Sequence, residues 1–347
     1  MTTSATDDFR LGFTGDVMLG RLVNERQRDR APTAVWGTMY RRLRDLDALC
    51  VNLECCLSTR GTPWTRSYHP FHFRANPAWA VPALSDVGVS WVSLANNHVL
   101  DFGVDALEDT FGALDDAGIP YSGAGPTERE AWAPAAVEVA VDGADDPALR
   151  VALLAVTDNT PEFAAGDDSP GTAYVAVDPD DPDCRSRVGS ALGRARRLDP
   201  DLLVCSLHWG PNMVERPPER FRRFARWLVD SGVDLVYGHS AHVFQGVERY
   251  GDGLILYDTG DFVDDYAVHP RLRNDRGFLF TLRVGAGGDA HRLRSLRLTP
   301  TVVRDCAVGR TGRRAAAWSR ARMCELSASF GTEFAVDGRE LVLRLDS

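Results

Sequence analysis

The sequence predicts a layered α/β fold with a largely parallel core, and three observations carry that reading. Short apolar runs alternate with helix-patterned stretches along most of the chain, the order that builds parallel sheets. Most of those runs end in Asp, Glu, Asn or His, and open α/β sheets bind ligands at the carboxyl ends of their strands. The bulk numbers are those of an ordinary globular protein: 347 residues, 44% hydrophobic and 25% charged. That length suits one large or two small domains.

Residues 9–14 read as a first strand that runs out at Gly15-Asp16. Residues 33–46 pattern as a helix. Residues 48–51 form a second strand, ending at Asn52-Leu53-Glu54, and a loop rich in Gly, Pro and aromatics follows from 59 to 77. A helix over 79–87 leads to a third strand, 90–94, which ends at Asn96-Asn97-His98-Val99-Leu100-Asp101. Residues 104–117 read as a helix because Leu107, Phe111 and Leu114 share one face. A short strand starts near 119. Residues 135–141 and 151–157 look like paired strands, and 158–183, rich in Asp, Pro and Gly, like a surface loop. A helix over 188–198 precedes a strand over 202–207 that runs into His208. An amphipathic helix over 221–231 precedes a strand over 233–237 that ends at Gly238-His239-Ser240-Ala241-His242. A strand over 254–257 ends at Asp258-Thr259-Gly260-Asp261. From Gly277 the pattern gives a strand pair, a basic helix over 313–326 and a last strand over 340–345.

Composition excludes several function classes. The net charge is -10 and every one of the 39 basic residues is Arg. Without lysine there is no Schiff-base or P-loop lysine chemistry. The acid excess argues against a nucleic-acid partner, which needs clustered cations, and suits a hard metal cation. Residues 1–8 are polar, with no basic n-region and no apolar run, and no stretch of roughly 18 apolar residues occurs. A cytoplasmic protein with no membrane partner is expected. Seven irregularly spaced cysteines fit free thiols in a reducing compartment better than a disulfide framework.

The strand-end residues are therefore the candidate site. A single histidine is more often structural than functional. Four of the eight, placed at the ends of three separate apolar strands, are harder to explain that way. His69, His72, His269 and His291 lie elsewhere and are expected outside the site. Carboxylate, amide and imidazole ligands together imply one hard or borderline divalent cation: Ca, Mn, Mg or Zn. A histidine that is not a ligand can do acid–base work, held by a nearby carboxylate.

Six motifs resemble the capsule/poly-γ-glutamate synthesis protein CapA family: Gly15-Asp16-Val17-Met18-Leu19-Gly20-Arg21, Val51-Asn52-Leu53-Glu54, Ser93 through Gly103, Ser206-Leu207-His208-Trp209-Gly210, Gly238-His239-Ser240-Ala241-His242, and Tyr257-Asp258-Thr259-Gly260-Asp261-Phe262. They follow the family's order over residues 9–266. The resemblance implies a calcineurin-like metallophosphoesterase fold, a four-layer α/β/β/α sandwich, with residues 267–347 as an extension that completes the second sheet with a helix. It implies Asp16, Glu54, Asn97, His208 and His239 as metal ligands. His98 with Asp101, and His242 with Asp16 or Asp261, become the acid–base pairs, with a metal ligand as the alternative role for His242. The usual Asp-x-His of metallophosphoesterases has Met18 at its His position, so one metal is expected rather than two.

Two activities follow from that resemblance. The first is a metal-dependent peptide epimerase, similar to CapA-like proteins that invert the C-terminal aromatic residue of a lasso-peptide precursor. Inversion at Cα needs a base and an acid on opposite faces, which two histidine–carboxylate pairs can supply. The alternative is a metal-dependent hydrolase of phosphoester or amide bonds linked to capsule or poly-γ-glutamate metabolism. Either acts on a peptide or another carboxylate-bearing substrate, with Trp64, Tyr68 and Phe71 as candidate contacts. Of the two, the epimerase is the expected activity, because of Met18, Asp261 and the missing membrane anchor.

Overall fold

Two sheets stack face to face, and helices cover their outer faces. The computed structural model describes residues 8–140, 149–285 and 293–345. The elements used below are β1 (Phe9–Val17), α1 (Arg21–Gln27), β2 (Ala48–Leu53), α2 (Pro77–Asp86), β3 (Val89–Ser93), α3 (Val104–Asp116), β4 (Tyr121–Ser122), β5 (Ala135–Val139), β6 (Leu149–Thr157), α4 (Pro182–Arg196), β7 (Leu202–His208), α5 (Glu219–Asp230), β8 (Leu235–His239), β9 (Val247–Tyr250), β10 (Gly253–Leu256), β11 (Asp261–Val263), β12 (Arg276–Val284), β13 (Leu293–Arg304), β14 (Ala307–Arg310), α6 (Arg313–Ala328), β15 (Ala335–Asp337) and β16 (Glu340–Arg344).

The first sheet runs β15-β16-β13-β12-β1-β2-β3-β4, with β11 also paired to β1 and β14 to β13. The second runs β9-β10-β8-β7-β6-β5. Strand periodicity explains the stacking, since alternate side chains of a strand point to opposite faces. Phe9, Leu11 and Phe13 of β1 meet Leu153 of β6, Val204 of β7 and Tyr237 of β8 in one buried cluster between the sheets. The intervening residues Leu203, Cys205 and Leu207 of β7 pack outward against α4 and α5. All seven residues of β7 are buried, as expected of a central parallel strand covered on both faces. On the other side α2 and α3 cover the first sheet. In α3 the buried set Ala106, Leu107, Thr110, Phe111 and Leu114 forms one stripe. In α5 the stripe is Phe221, Phe224, Ala225 and Leu228. These are the four layers expected from the resemblance.

The parallel core is real but partial. β1–β2–β3–β4 and β6–β7–β8–β10 pair in parallel, while β12, β13 and β16 are antiparallel. The C-terminal extension corrects one expectation. Its strands join the first sheet through β12 on β1, not the second. Apolar periodicity fixes which face of a strand is buried but not which edge it joins. Helix α6 sends Met323 and Leu326 into the core between the sheets and touches strands of both.

Three local expectations also change. Residues 33–46 are not one helix but a 3-10 segment, Pro32–Met39, and a short helix, Tyr40–Arg44, broken where Gly37 takes φ 45°. Helix α1 was not legible as a helix. The stretch 158–183 is anchored rather than a plain surface loop: Phe163, Ala173, Val175 and Val177 are buried, and Asp181 caps α4 by accepting from the Asp183 amide. Val141 and His291 lie outside the described residues. The seven cysteines are free, six of them buried. Among the described residues no helix is long and apolar enough to cross a membrane.

Candidate metal-binding and acid–base site

Strand register places the site. At the carboxyl end of the first sheet Asp16 lies opposite Asp261 on one side and Asn52 on the other, and Asn52 lies opposite Ser93. A register shift between Phe13 and Asp16 re-aims the end of β1, as bulges do. Gly15 allows it, since a Cβ there would collide with the Gly260 carbonyl. In the second sheet His208 and His239 are register partners. The Tyr237 hydroxyl donates to the Thr14 carbonyl at 2.6 Å, which fixes one sheet end against the other.

The two rows meet. Asn52 Nδ2 donates to Asp16 Oδ1 at 2.7 Å and lies 3.4 Å from His208 Nδ1. His208 Nδ1 and His239 Nδ1 are 2.9 Å apart, and His239 Nε2 is 2.8 Å from Ser206 Oγ. Asp16 Oδ1 is 3.7 Å from His239 Nδ1, and Glu54 Oε1 is 3.9 Å from His208 Nε2.

The loop after β3 brings the first acid–base pair. His98 Nδ1 lies 2.7 Å from Asp101 Oδ2, and His98 Nε2 lies 3.0 Å from the Asn97 amide and 3.8 Å from Glu54 Oε1. Asp101 is fully buried and also takes the Phe73 N–H at 2.5 Å and His69 Nε2 at 2.5 Å. Three donors on one buried carboxylate fix its rotamer and the His98 ring. His69 is a correction to the sequence reading, which left it outside the site. Its loop is pinned there because the Trp64 amide donates to the Asp101 carbonyl.

The turn after β8 brings the second pair. His242 Nδ1 is 2.9 Å from Asp261 Oδ1 and 3.6 Å from Asp16 Oδ2. His242 holds φ 58°, a left-handed conformation uncommon for a residue with a Cβ. Asp258 supports the turn by accepting from the Ala241 and Gly260 amides, each at 2.8 Å. Such strain at a functional turn persists only where the surroundings impose it.

Burial and mutual repulsion shape the electrostatics. Desolvation, then the neighbouring Glu54, pushes the Asp16 carboxyl well above the usual range. Burial likewise raises Glu54 and Asp261. For His242 burial opposes the charge, but Asp261, Glu54 and Asp16 outweigh it and hold the imidazolium well above the usual value. Burial lowers His239 to about 3, and burial with His239 lowers His208, so both rings are neutral and keep a lone pair near neutral pH.

This donor set fits a divalent cation. One ligand atom from each of Asp16, Glu54, His242 and Asp261 lies within 4.8 Å of the others, and Asp16, His208 and His239 form an adjoining group. Glu54 Oε1, Asp261 Oδ2 and Asn97 Oδ1 are buried without a hydrogen-bond partner, a costly state for a polar atom. Met18 is fully buried in the apolar layer with its sulfur accepting from the Gly20 amide, so it supplies no ligand.

Above the cluster opens a cavity of about 560 Å³, lined by His98 and His242 together with Arg21, His69, Phe71 and Tyr266 among others. Tyr266 donates to Glu54 Oε2 at 3.3 Å. Of the three aromatic candidates, Phe71 lines the cavity. Tyr68 is 92% exposed. Trp64 is half-buried and stacks edge-on against Phe163 at 4.9 Å, which is loop packing. The sequence reading missed Arg21 and Tyr266 as cavity residues. Arg21 stood inside a recognised motif, which was the available signal; Tyr266 had none.

The family model of the bacterial capsule synthesis protein PGA_cap matches residues 10–266. A probable polyglutamine synthesis accessory protein of Mycobacterium tuberculosis (strain ATCC 25618 / H37Rv) is 33% identical over 330 residues, 92% of this chain and 83% of that protein. The capsule biosynthesis protein CapA of Bacillus anthracis is 30% identical over 258 residues, 73% of this chain and 59% of that one. Among solved structures, the calcineurin-like phosphoesterase YfkN from Bacillus subtilis superposes with a TM-score of 0.49 at 9% identity, covering 93% of this chain and 99% of that chain.

Proposed function

The chain belongs to the bacterial capsule synthesis protein PGA_cap family, and from that premise we propose that it is a metal-dependent hydrolase of an amide-linked, carboxylate-bearing peptide or polymer of the poly-γ-glutamate kind. One observation carries the reading: His98 held by Asp101, and His242 held by Asp261, line one cavity, and His242 also belongs to the buried cluster of Asp16, Glu54 and Asp261 behind it. The relatives named for capsule and polyglutamine synthesis support the substrate class.

Asp16, Glu54, Asn97, His208 and His239 would hold the cation, with Asp261 and His242 beside them. Once bound, it would supply Lewis acidity toward a carbonyl oxygen. The chain's own residues supply the proton transfers. His98 is oriented by Asp101, lines the cavity and has its Nε2 3.8 Å from Glu54 Oε1, a placement suited to a base that takes a proton from water. His242, held by Asp261 at 2.9 Å and lining the cavity, is placed to give a proton to a leaving amide nitrogen. Met18 stands where two-metal phosphoesterases carry a histidine ligand, which counts against a phosphoester substrate.

A second reading, Cα inversion of a peptide, is favoured by the same pair of histidine–carboxylate units, because inversion also needs two proton-transfer groups. Incubating purified protein with N-acetyl-γ-glutamyl-glutamate oligomers and divalent metal in deuterated water separates the two. Chain shortening without deuterium at Cα supports hydrolysis. Deuterium at Cα without shortening replaces it with inversion.

A further inference from the structure

Arg21 sits at the cavity with a backbone and a setting that packing alone does not require. It lines the pocket that opens on His98 and His242. Its φ is 49°, a left-handed conformation that residues with a Cβ seldom adopt. The preceding Gly20 makes that path possible: a Cβ there would come within 2.8 Å of the Arg74 amide nitrogen and 2.9 Å of Phe73 Cα. The guanidinium lies 5.6 Å from the Phe71 ring centroid, 5.5 Å from Phe73 and 5.9 Å from Tyr266. Among the described residues its acidic partner is Asp265, at 3.0 Å from one terminal nitrogen. A guanidinium carries five N–H donors in a planar fork, so donors remain after that pair. Aromatic faces around a guanidinium favour its charge and fix its plane without using its N–H groups.

The rest of the cavity makes this charge matter. Histidines apart, Arg21 is the one cationic side chain in the lining, among the described residues, while the buried cluster that shares His242 with the lining is carboxylate-rich. A cation held by that cluster would attract the carbonyl of an amide to be cut. A free carboxylate on the same substrate needs a separate positive partner away from Asp16, Glu54 and Asp261.

We infer that Arg21 is the specificity-determining residue of this cavity, holding a substrate carboxylate by paired charge-assisted hydrogen bonds so that a γ-glutamyl-type residue bearing a free carboxylate is selected. This rests on the hydrolase reading of the same cavity.

The test measures binding rather than turnover. The full chain, loaded with Mn²⁺, is titrated calorimetrically with N-acetyl-γ-glutamyl-glutamate and with the same compound carrying amides in place of its free carboxylates. Wild type should prefer the acid. Arg21→Gln should weaken the acid by about ten- to a hundredfold, the range of a lost charge-assisted contact, and leave the amide unchanged. Arg21→Lys should recover only part of the preference, since an ammonium cannot present the planar fork. Asp265→Asn breaks the same ion pair while keeping Arg21, and should bind the acid at least as well as wild type. That separates recognition from loss of local structure. The inference is overturned if wild type does not discriminate or binds neither compound, if Arg21→Gln keeps the preference, or if Asp265→Asn loses it equally. Arg21-dependent binding with no cleavage of the acid by wild type supports Arg21 and removes the hydrolase reading alone.

Discussion

His69 Nε2 lies 2.5 Å from Asp101 Oδ1, on the carboxylate that also takes His98 Nδ1 at 2.7 Å. His69 thus reaches His98 through Asp101, and we propose it as a positioning residue for His98. Groups that orient a catalytic side chain typically matter by 10- to 100-fold. His69→Ala should therefore lower kcat by about tenfold or more, with a smaller change in KM. His69→Gln, which keeps an N–H donor, should recover much of it. Equal losses in both variants, expressed only in KM, would assign His69 to substrate contact instead.

Metal binding gives the second prediction. Glu54 Oε1 and Asp261 Oδ2 have no hydrogen-bond partner, and three buried carboxylates repel one another. A cation bound at 100 times its dissociation constant stabilises the folded state by about 2.7 kcal/mol. At this chain length that shifts Tm by several degrees. Adding Mn²⁺ or Ca²⁺ to chelator-treated protein should raise Tm, and Glu54→Gln or Asp16→Asn should abolish most of the rise. Elemental analysis should find about one divalent ion per chain in wild type. A melting curve indifferent to both metals and chelator refutes the site.

Legibility in the sequence followed the physics of strands. An apolar run fixes a buried strand, and the polar residues after it mark where that strand emerges, so Asp16, His98, His208, His239, His242 and Asp261 were readable one by one. What brings them together, such as Asp16 opposite both Asp261 and Asn52, is pairing register, which no local pattern encodes. His69 was unreadable for a related reason. It sits in a loop without regular structure, and only the path set by the Trp64 and Phe73 amides on Asp101 carries it to the site. The C-terminal strands were visible as strands, but the edge they join, β1, is chosen by packing between distant segments.

Asp234 predicts a pH dependence of stability away from the site. Burial raises its carboxyl above the ordinary 3.8, although the Leu203 amide donates to it at 2.7 Å. The folded chain therefore holds a proton that the unfolded chain releases. The associated stability is full below the unfolded value and is lost as pH rises through the raised folded value. Asp234→Asn keeps an oxygen acceptor and removes the titration. Its Tm relative to wild type should improve as pH rises from about 4, where the unfolded carboxylate ionises, and should level off once the raised folded value is passed. A constant difference across that span would show that Asp234 does not titrate abnormally.

The last prediction concerns His98 and His242, which the hydrolase and inversion readings use differently. In hydrolysis one group takes a proton from water and the other gives one to the leaving nitrogen. Loss of either should cut turnover by about 10²- to 10⁴-fold, and no Cα should exchange with solvent in any variant. The residual activities should also respond differently to the leaving group. His242→Gln should be rescued by an activated aryl ester, whose phenolate leaves without a proton, and His98→Gln should not be. His242 adjoins the metal cluster, so metal content has to be measured beside activity, and the comparison holds only where it equals wild type. In inversion the two variants should instead each stop interconversion while exchanging deuterium into opposite stereoisomers. An aryl ester cut equally slowly by both variants, with wash-in from the L form for one and the D form for the other, would replace the hydrolase with an epimerase. Selective rescue of His242→Gln with no wash-in would assign His98 as base and His242 as acid.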